Sequence, residues 1–329
     1  MKNTRIVLAS RPRGWPEVGN FRVEEVDVPA PKDGEVVVKN HFLSLDPYMR
    51  GRMNEGKSYA APQPLDEVMI GGTAGEVLES KNPRFAVGDH VVGVLGWQEV
   101  AVTDGRGLTK VDPRVPLSAY LGSVGMPGVT AHYGLLEIGQ PKAGETVVVS
   151  AAAGAVGGVV GQIAKLRGAR AIGIAGGEAK CAYVTDELGF DACVDYKSPD
   201  FGAHLKKAAP DGIDVYFENV GGQVLDAVLP RLNTFARIPL CGLVSQYNAT
   251  EPYGVKGFAA LLVSRVKLQG FIVSDHMDKW PAALADLAGW YLEGKLRGRE
   301  TVALGLRSAP AAFLGMLRGD NVGKQLVRL

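Results

Sequence analysis

Residues 146–168, TVVVSAAAGAVGGVVGQIAKLRG, constrain the fold more than any other stretch. A short β-branched run, TVVVS, passes through a glycine-containing turn straight into a helical pattern, AVGGVVGQIAKLRG. Strand and helix patterns then keep alternating: ARAIGIAG, EAKCAYVTDELG, DACVDY, FGAHLKKAA, IDVYFENVGG, QVLDAVLPRL and FARIPLCG. Such alternation predicts a doubly wound parallel sheet in an α/β domain. The texture before it is different. Residues 1 to about 120 are rich in proline and glycine, with short β-like runs such as EVVVKNHFLSL and FAVGDHVVGVLGWQEVAV separated by turn signals. That is the pattern of an irregular antiparallel barrel. The expected organisation is therefore a barrel domain at 1–121, completed by a tail at 300–329, and a parallel α/β domain at 122–299.

Composition sets outer bounds. A chain of 329 residues can bury a large core, and 46% hydrophobic with 22% charged residues suits a globular enzyme. A net charge of +1 gives no footprint for nucleic acid or an anionic membrane. The first ten residues carry only a four-residue apolar run, too short for a signal-peptide core, and no run approaches the ~20 residues of a membrane span. Cys181, Cys193 and Cys241 are odd in number and separated in sequence, which points to reduced thiols in a cytoplasmic setting.

The turn after TVVVS reads Ala151-x-x-Gly154-x-x-Gly157, a dinucleotide fingerprint without its first glycine. Glycines there let the backbone approach a pyrophosphate, and the helix N-terminus offers N–H groups to it. Ala153, Gly154, Ala155, Val156 and Gly157 are the expected phosphate-binding residues. NAD-binding folds place a carboxylate at the end of the second strand, on the ribose hydroxyls. Here that strand ends at Gly176-Gly177, with Lys180 just beyond. Glycines leave room for a 2′-phosphate and lysine supplies charge, so the expected cofactor is NADPH.

The chain resembles the zinc-free medium-chain dehydrogenase/reductases, in particular the group of prostaglandin reductases, leukotriene hydroxydehydrogenases and alkenal double-bond reductases. The resemblance runs over essentially the whole chain and is carried by LSLDPYMRGRM (43–53), GSVGMPGVTAHYGLL (122–136), SAAAGAVGGVVGQIAKLRG (150–168), YFENVGG (216–222), CGLVSQYN (241–248), GFIVSD (270–275) and NVGKQLV (321–327). It implies a GroES-like barrel, a Rossmann domain, bound NADPH and a homodimer. It also implies an absent metal. Zinc-dependent relatives have a Cys near the position of Asp46 and Gly-His-Glu where this chain has Gly71-Gly72-Thr73. The histidines, His41, His90, His132, His204 and His276, form no ligand-like cluster in sequence.

Without a metal, a conjugated enone is the acceptor that needs least activation. Hydride at the β-carbon spreads charge into an enolate, which one or two hydrogen-bond donors can stabilise. Tyr247 in SQYN and Tyr48 in DPYMR are the candidates, each a neutral donor at pH 7. Tyr247 could equally position the nicotinamide ribose, and Tyr48 could be a barrel-core tyrosine. Arg50 reads as a structural residue. By resemblance, Met126 and Thr130 would pass the nicotinamide and phosphates, and Lys180 and Tyr196 would flank the 2′-phosphate. Asn219 would contact cofactor at a strand end. Cys241, Gly242, Ser245, Phe271, Ile272 and Val273 would line the cofactor site, and Asn321 would reach in from the tail. The loop LVSQYNATEPYGVKGFAA from Leu243 is short and holds one proline; in the family this loop covers the substrate. The reading is an NADPH-dependent reductase of the C=C bond of enones or enals, similar to 15-oxoprostaglandin reductases. A zinc-free quinone reductase and an NADPH-binding protein with little turnover remain alternatives. A small molecule is the expected partner, with no nucleic acid and no membrane.

Overall fold

The computed structural model describes residues 1–329. The chain divides into two compact units: Met1–Leu121 with Glu300–Asn321 and Gln325–Leu329, and Gly122–Arg299 with Val322–Lys324.

In the first unit, β1 (Lys2–Leu8) and β2 (Phe21–Asp27) form an antiparallel pair. The larger sheet runs in the order β14 (Glu300–Leu304), β15 (Lys324–Arg328), β3 (Val36–Ser44), β4 (Thr73–Ser80), β5 (His90–Gly93), β7 (Thr109–Lys110), with β6 (Val100–Thr103) also on β3. The tail strand β15 pairs antiparallel with β3, Leu326 opposite Ser44. Helices α1 (Tyr48–Arg52) and α9 (Ala309–Arg318) complete this unit. Its core holds Met49, Met53, Trp97 and Phe313, all fully buried. Trp97 stacks on Phe21 and meets Phe313 edge-on.

The second unit carries a six-stranded parallel sheet in the order β10 (Ala192–Asp195), β9 (Arg170–Ala175), β8 (Thr146–Ser150), β11 (Ile213–Phe217), β12 (Leu232–Leu240), β13 (Lys267–Gly270). Numbered from β8, that order is 3-2-1-4-5-6, the doubly wound dinucleotide-binding arrangement. The central strands are buried throughout, Val147–Val149 and Val215–Phe217 at 0% exposure, as strands covered on both faces must be. The helices are α2 (Met126–Tyr133), α3 (Gly157–Leu166), α4 (Glu178–Ala182), α5 (Phe201–Ala208), α6 (Gly222–Val228), α7 (Ala259–Val263) and α8 (Trp280–Leu292). Both α2 and α4 continue into π-helical turns, at Gly134–Gly139 and Tyr183–Glu187. Three elements of this unit lie outside the strand and helix pattern read from sequence: β13, the five-residue α7 and α8. The four-residue β13 is too short to show a period, and α8 spreads its apolar residues around the helix. No helix is long and apolar enough to cross a membrane.

Candidate active site

In a 3-2-1-4-5-6 sheet the chain leaves strands 1 and 4 in opposite directions, and the crevice opens at their carboxyl ends. Those ends are Ser150 of β8 and Phe217 of β11, and a buried polar network ties them together. Ser150 Oγ donates to Glu218 Oε1 at 2.9 Å, and the Asn219 N–H donates to Ser150 Oγ at 2.8 Å. Asn219 Nδ2 donates to the Ser150 carbonyl at 2.8 Å, and the Val220 N–H to Glu218 Oε1 at 2.6 Å. The Glu218 backbone carbonyl accepts from Cys241 and Gly242 at 2.9 and 3.2 Å. One wholly buried glutamate thus joins the ends of three strands. Burial raises its carboxyl above the usual carboxylate range; the N–H groups of Val220 and Gly221 and the Ser150 hydroxyl oppose that shift.

The missing first glycine has a physical answer. Ala151 adopts φ 51°, the conformation a glycine would take without strain. The other two positions differ in how closely they are packed. A methyl group at Gly157 would stand 2.4 Å from the Ala151 carbonyl oxygen, whereas at Gly154 the approach is 3.1 Å. Gly157 therefore serves the seating of α3 on β8, helped by Gly161, where a methyl group would lie 1.8 Å from Phe190 Cζ. The turn is held from outside as well. The Gly323 N–H donates to the Ala153 carbonyl at 2.8 Å, and Gly323 bridges Gly154 in parallel register. Ala155 and Val156 are partly buried, and the Val156 carbonyl accepts from Val159 and Val160 at 3.0 Å.

At the end of β9 the structure gathers residues around Gly176. A methyl group there would come within 2.9–3.1 Å of the Tyr196 ring, the Tyr196 hydroxyl and Lys197 Cε. Gly177 has φ 97° and opens α4, whose first turn carries Lys180. The nearby carboxylate is Asp195 of β10, and it faces backbone: its Oδ1 accepts from Gly177 N–H at 2.8 Å and Lys197 N–H at 2.9 Å. It orients the loop as a carboxylate on ribose would not. Tyr196 is 45% exposed.

The rim after β12 brings Tyr247 to the same carboxyl edge. Its hydroxyl accepts from Leu243 N–H at 3.4 Å and lies 3.0 Å from where a Gly242 methyl group would be. Asn219 and Val220 carbonyls accept from Val244 and Ser245 N–H groups at 3.0 and 3.1 Å, and Ser245 Oγ donates to the Val220 carbonyl at 2.6 Å. Asn219, Gly242, Ser245 and Tyr247 are thus brought together. Thr130 Oγ1 donates to the Met126 carbonyl at 2.8 Å, so its proton is already placed. The Phe271 side chain belongs to the core, against Phe217 and Tyr133, so that only its backbone reaches the strand end. Ile272 and Val273 follow, partly buried, the Val273 carbonyl accepting from Trp280 Nε1 at 3.1 Å. Burial, reinforced by Glu218, pushes the Cys241 thiol up to about 12, which keeps it a protonated core side chain.

In the first unit Tyr48 opens α1, partly buried. Burial, then the Asp46 carboxylate, pushes its hydroxyl well above the usual tyrosine range, so it stays a donor. Arg50 is buried and donates to Asn54 Oδ1 and the Gly14 carbonyl, both at 2.6 Å, a structural clamp. Asp46 is buried and accepts from the Ser44 hydroxyl. Asn321 closes the segment that follows α9. No three His, Cys, Asp or Glu side chains converge to a metal-binding group.

Glu218, Asp195 and Lys197 are absent from the residues expected by sequence. A charged residue closing the apolar strand IDVYF was a visible signal for Glu218; nothing local marked the other two.

A parallel sheet of this order, with a glycine turn beside a polar network at its switch point, is the frame of a dinucleotide-binding oxidoreductase. Comparison with known proteins carries this further. A family model described as the N-terminal domain of oxidoreductase matches residues 4–111, and one described as zinc-binding dehydrogenase matches residues 155–289. The NADPH-dependent curcumin reductase of Escherichia coli K12 is 50% identical, over 100% of this chain and 97% of that protein. Prostaglandin reductase 1 of Rattus norvegicus is 43% identical, over 96% of this chain and 95% of that one. The crystal structure of CurA in complex with NADPH from Vibrio vulnificus superposes with a TM-score of 0.94 at 52% identity, covering 99% of this chain and 98% of that one. The chain belongs to the zinc-free medium-chain dehydrogenase/reductase family. The zinc of the second model's description finds no ligand set in these residues.

Proposed function

We propose that this protein reduces the C=C bond of α,β-unsaturated ketones or aldehydes with NADPH. The observation that carries the reading is the Tyr247 hydroxyl at the switch-point edge, beside Gly242, in a chain half identical to an NADPH-dependent curcumin reductase. The glycine turn fits the cofactor: Ala153–Gly157 present backbone at the head of α3, and Gly157 lets that helix sit close on the turn. When bound, NADPH supplies the hydride. The chain's own part is to orient the acceptor and stabilise charge on its carbonyl oxygen, which a neutral tyrosine hydroxyl does without a metal. Tyr247 is assigned that role and Tyr48 is a second candidate donor. Proton delivery to the α-carbon comes from a donor or water. The first unit is read as the substrate domain and the second as the NADPH domain. Stoichiometric product analysis with a panel of enones, enals and quinones tests the function. The expected product is the saturated carbonyl compound. An allylic alcohol, or faster turnover of quinones than of any enone, overturns it.

Lys180, Tyr196 and Lys197 are assigned to the adenosine 2′-phosphate. A hydrogen bond to a charged group is worth about 1.5–3 kcal/mol. Lys180→Ala is therefore expected to weaken kcat/KM for NADPH by roughly ten- to a hundred-fold, at ~1.4 kcal/mol per decade, and to leave NADH nearly unchanged. Equal losses with both cofactors would remove Lys180 from that site.

We further infer a homodimer in the cytoplasm. β13 is the outermost strand of the parallel sheet, and Phe258, Leu262 and Val263 beside it are 66–82% exposed. An open edge flanked by apolar side chains suits pairing with a second copy. Three free thiols suit a reducing compartment. The mass of the purified protein in solution tests the dimer.

A further inference from the structure

The loop that follows Tyr247 is tied at both ends to one helix, α6. At the near end, a methyl group on Gly222, the first residue of α6, would stand 3.1 Å from Ser245 Oγ and 3.4 Å from Gln246 Nε2. Gln246 Nε2 donates to Ser245 Oγ at 2.9 Å. At the far end Asp226, one turn into α6, gathers three donors. The Tyr253 hydroxyl donates to Oδ2 at 2.6 Å, and the N–H groups of Lys256 and Gly257 donate to Oδ1 at 2.8 and 3.4 Å. The two ends also meet each other, the Tyr253 N–H donating to Gln246 Oε1 at 3.2 Å. Val255 packs on the core that holds Val224, Leu225 and Val228 of the same helix. Gly257 lies so close that a methyl group there would stand 3.2 Å from Leu229 Cβ. Burial works to raise the Asp226 carboxyl, but the Tyr253 hydroxyl and the two N–H groups outweigh it and hold the carboxyl below its ordinary value.

We propose that Asp226 and Tyr253 are positioning residues for the reaction: their hydrogen bond latches the loop onto α6, the Tyr253 N–H then holds Gln246, and Gln246 fixes its chain neighbour Tyr247 for the acceptor carbonyl. The proposal rests on the assignment of Tyr247 to that carbonyl. The short turn Val244–Gln246 delivers Tyr247 to the strand edge. There the Tyr247 N–H meets the Val244 carbonyl at 3.4 Å and its hydroxyl meets the Leu243 N–H at 3.4 Å, both at the outer limit for hydrogen bonds. The latch is of the other kind, a hydroxyl on a carboxylate at 2.6 Å, short and charge-assisted. The firm contact thus lies on the loop, at the residue whose backbone holds Gln246. A misplacement of about 1 Å at a reacting group can cost on the order of a hundred-fold in rate, so a contact remote from the chemistry can govern it.

The test uses the full-length protein with NADPH and benzalacetone. Tyr253→Phe keeps the ring and removes only the latch hydroxyl. It is expected to lower kcat/KM for benzalacetone roughly ten-fold, the loss of one hydrogen bond to a charged group, with NADPH affinity unchanged by titration of cofactor fluorescence. Asp226→Ala removes the acceptor of all three donors and should lose at least as much; if it does not fold, Tyr253→Phe decides alone. The discriminating step repeats Tyr253→Phe in a Tyr247→Phe background. There it should change kcat/KM by less than about two-fold, because the hydroxyl it positions is gone. Wild-type kinetics in Tyr253→Phe overturn the proposal, as do equal losses in the two backgrounds or a loss carried by NADPH affinity. Wild-type kinetics in Tyr247→Phe alone would remove Tyr247 from the carbonyl and the latch's purpose with it, a failure seen before any latch variant is made.

Discussion

Tyr247→Phe is expected to lower kcat/KM by roughly ten- to a thousand-fold, the range for one lost donor at a site of developing charge. The hydroxyl sits where such a donor is useful. It accepts from Leu243 N–H at 3.4 Å, and a neutral phenol is also a donor group. Gly242 lets it lie close over the end of β12. Phenylalanine keeps the ring and its packing, so thermal unfolding should be unchanged while steady-state kinetics with a good enone collapse. If the hydroxyl orients only the nicotinamide ribose, the loss should appear in cofactor affinity. Wild-type kinetics in the variant would return Tyr247 to a packing role.

Glu218→Ala should destabilise the protein by about 3–5 kcal/mol, because several buried donors lose their acceptor together. Ser150 Oγ and the Val220 N–H lie 2.9 and 2.6 Å from Oε1, and the Gly221 N–H also faces the carboxyl. Glu218→Gln keeps an acceptor in place and should cost far less. Urea titration separates the two variants, and equal midpoints for wild type and Glu218→Ala would sink the argument. The pH dependence gives a second handle. The folded carboxyl is raised above its ordinary value of 4.5. Between the unfolded and folded values the native state holds the extra proton, so wild-type stability falls as pH rises through that window. The Gln variant has no such proton and should lack this component of the slope.

The strand–turn–helix at 146–168 announced a parallel sheet because its signals are local: β-branched residues, glycines, then a helical period. Motif likeness supplied the candidate residues. What local pattern could not supply was adjacency. Ser150 and Glu218 are 68 residues apart and touch only because β8 and β11 are neighbours in the 3-2-1-4-5-6 order. Asp195 meets the Gly177 N–H only because β10 pairs with β9, a neighbourhood that no local pattern displays. Gly157 answers to the Ala151 carbonyl and the seating of α3, a close approach that only the folded backbone displays.

The bond from Gly323 to Ala153 also has a meaning in time. A ribosome adding about 5–20 residues per second makes the glycine turn on the order of ten seconds before it makes Gly323. Throughout that interval the nascent turn lacks the strap that later fixes Ala153 and Gly154. The nucleotide site of this chain is therefore finished by a segment made well after its glycine turn, and cofactor capture at the completed turn waits for that segment.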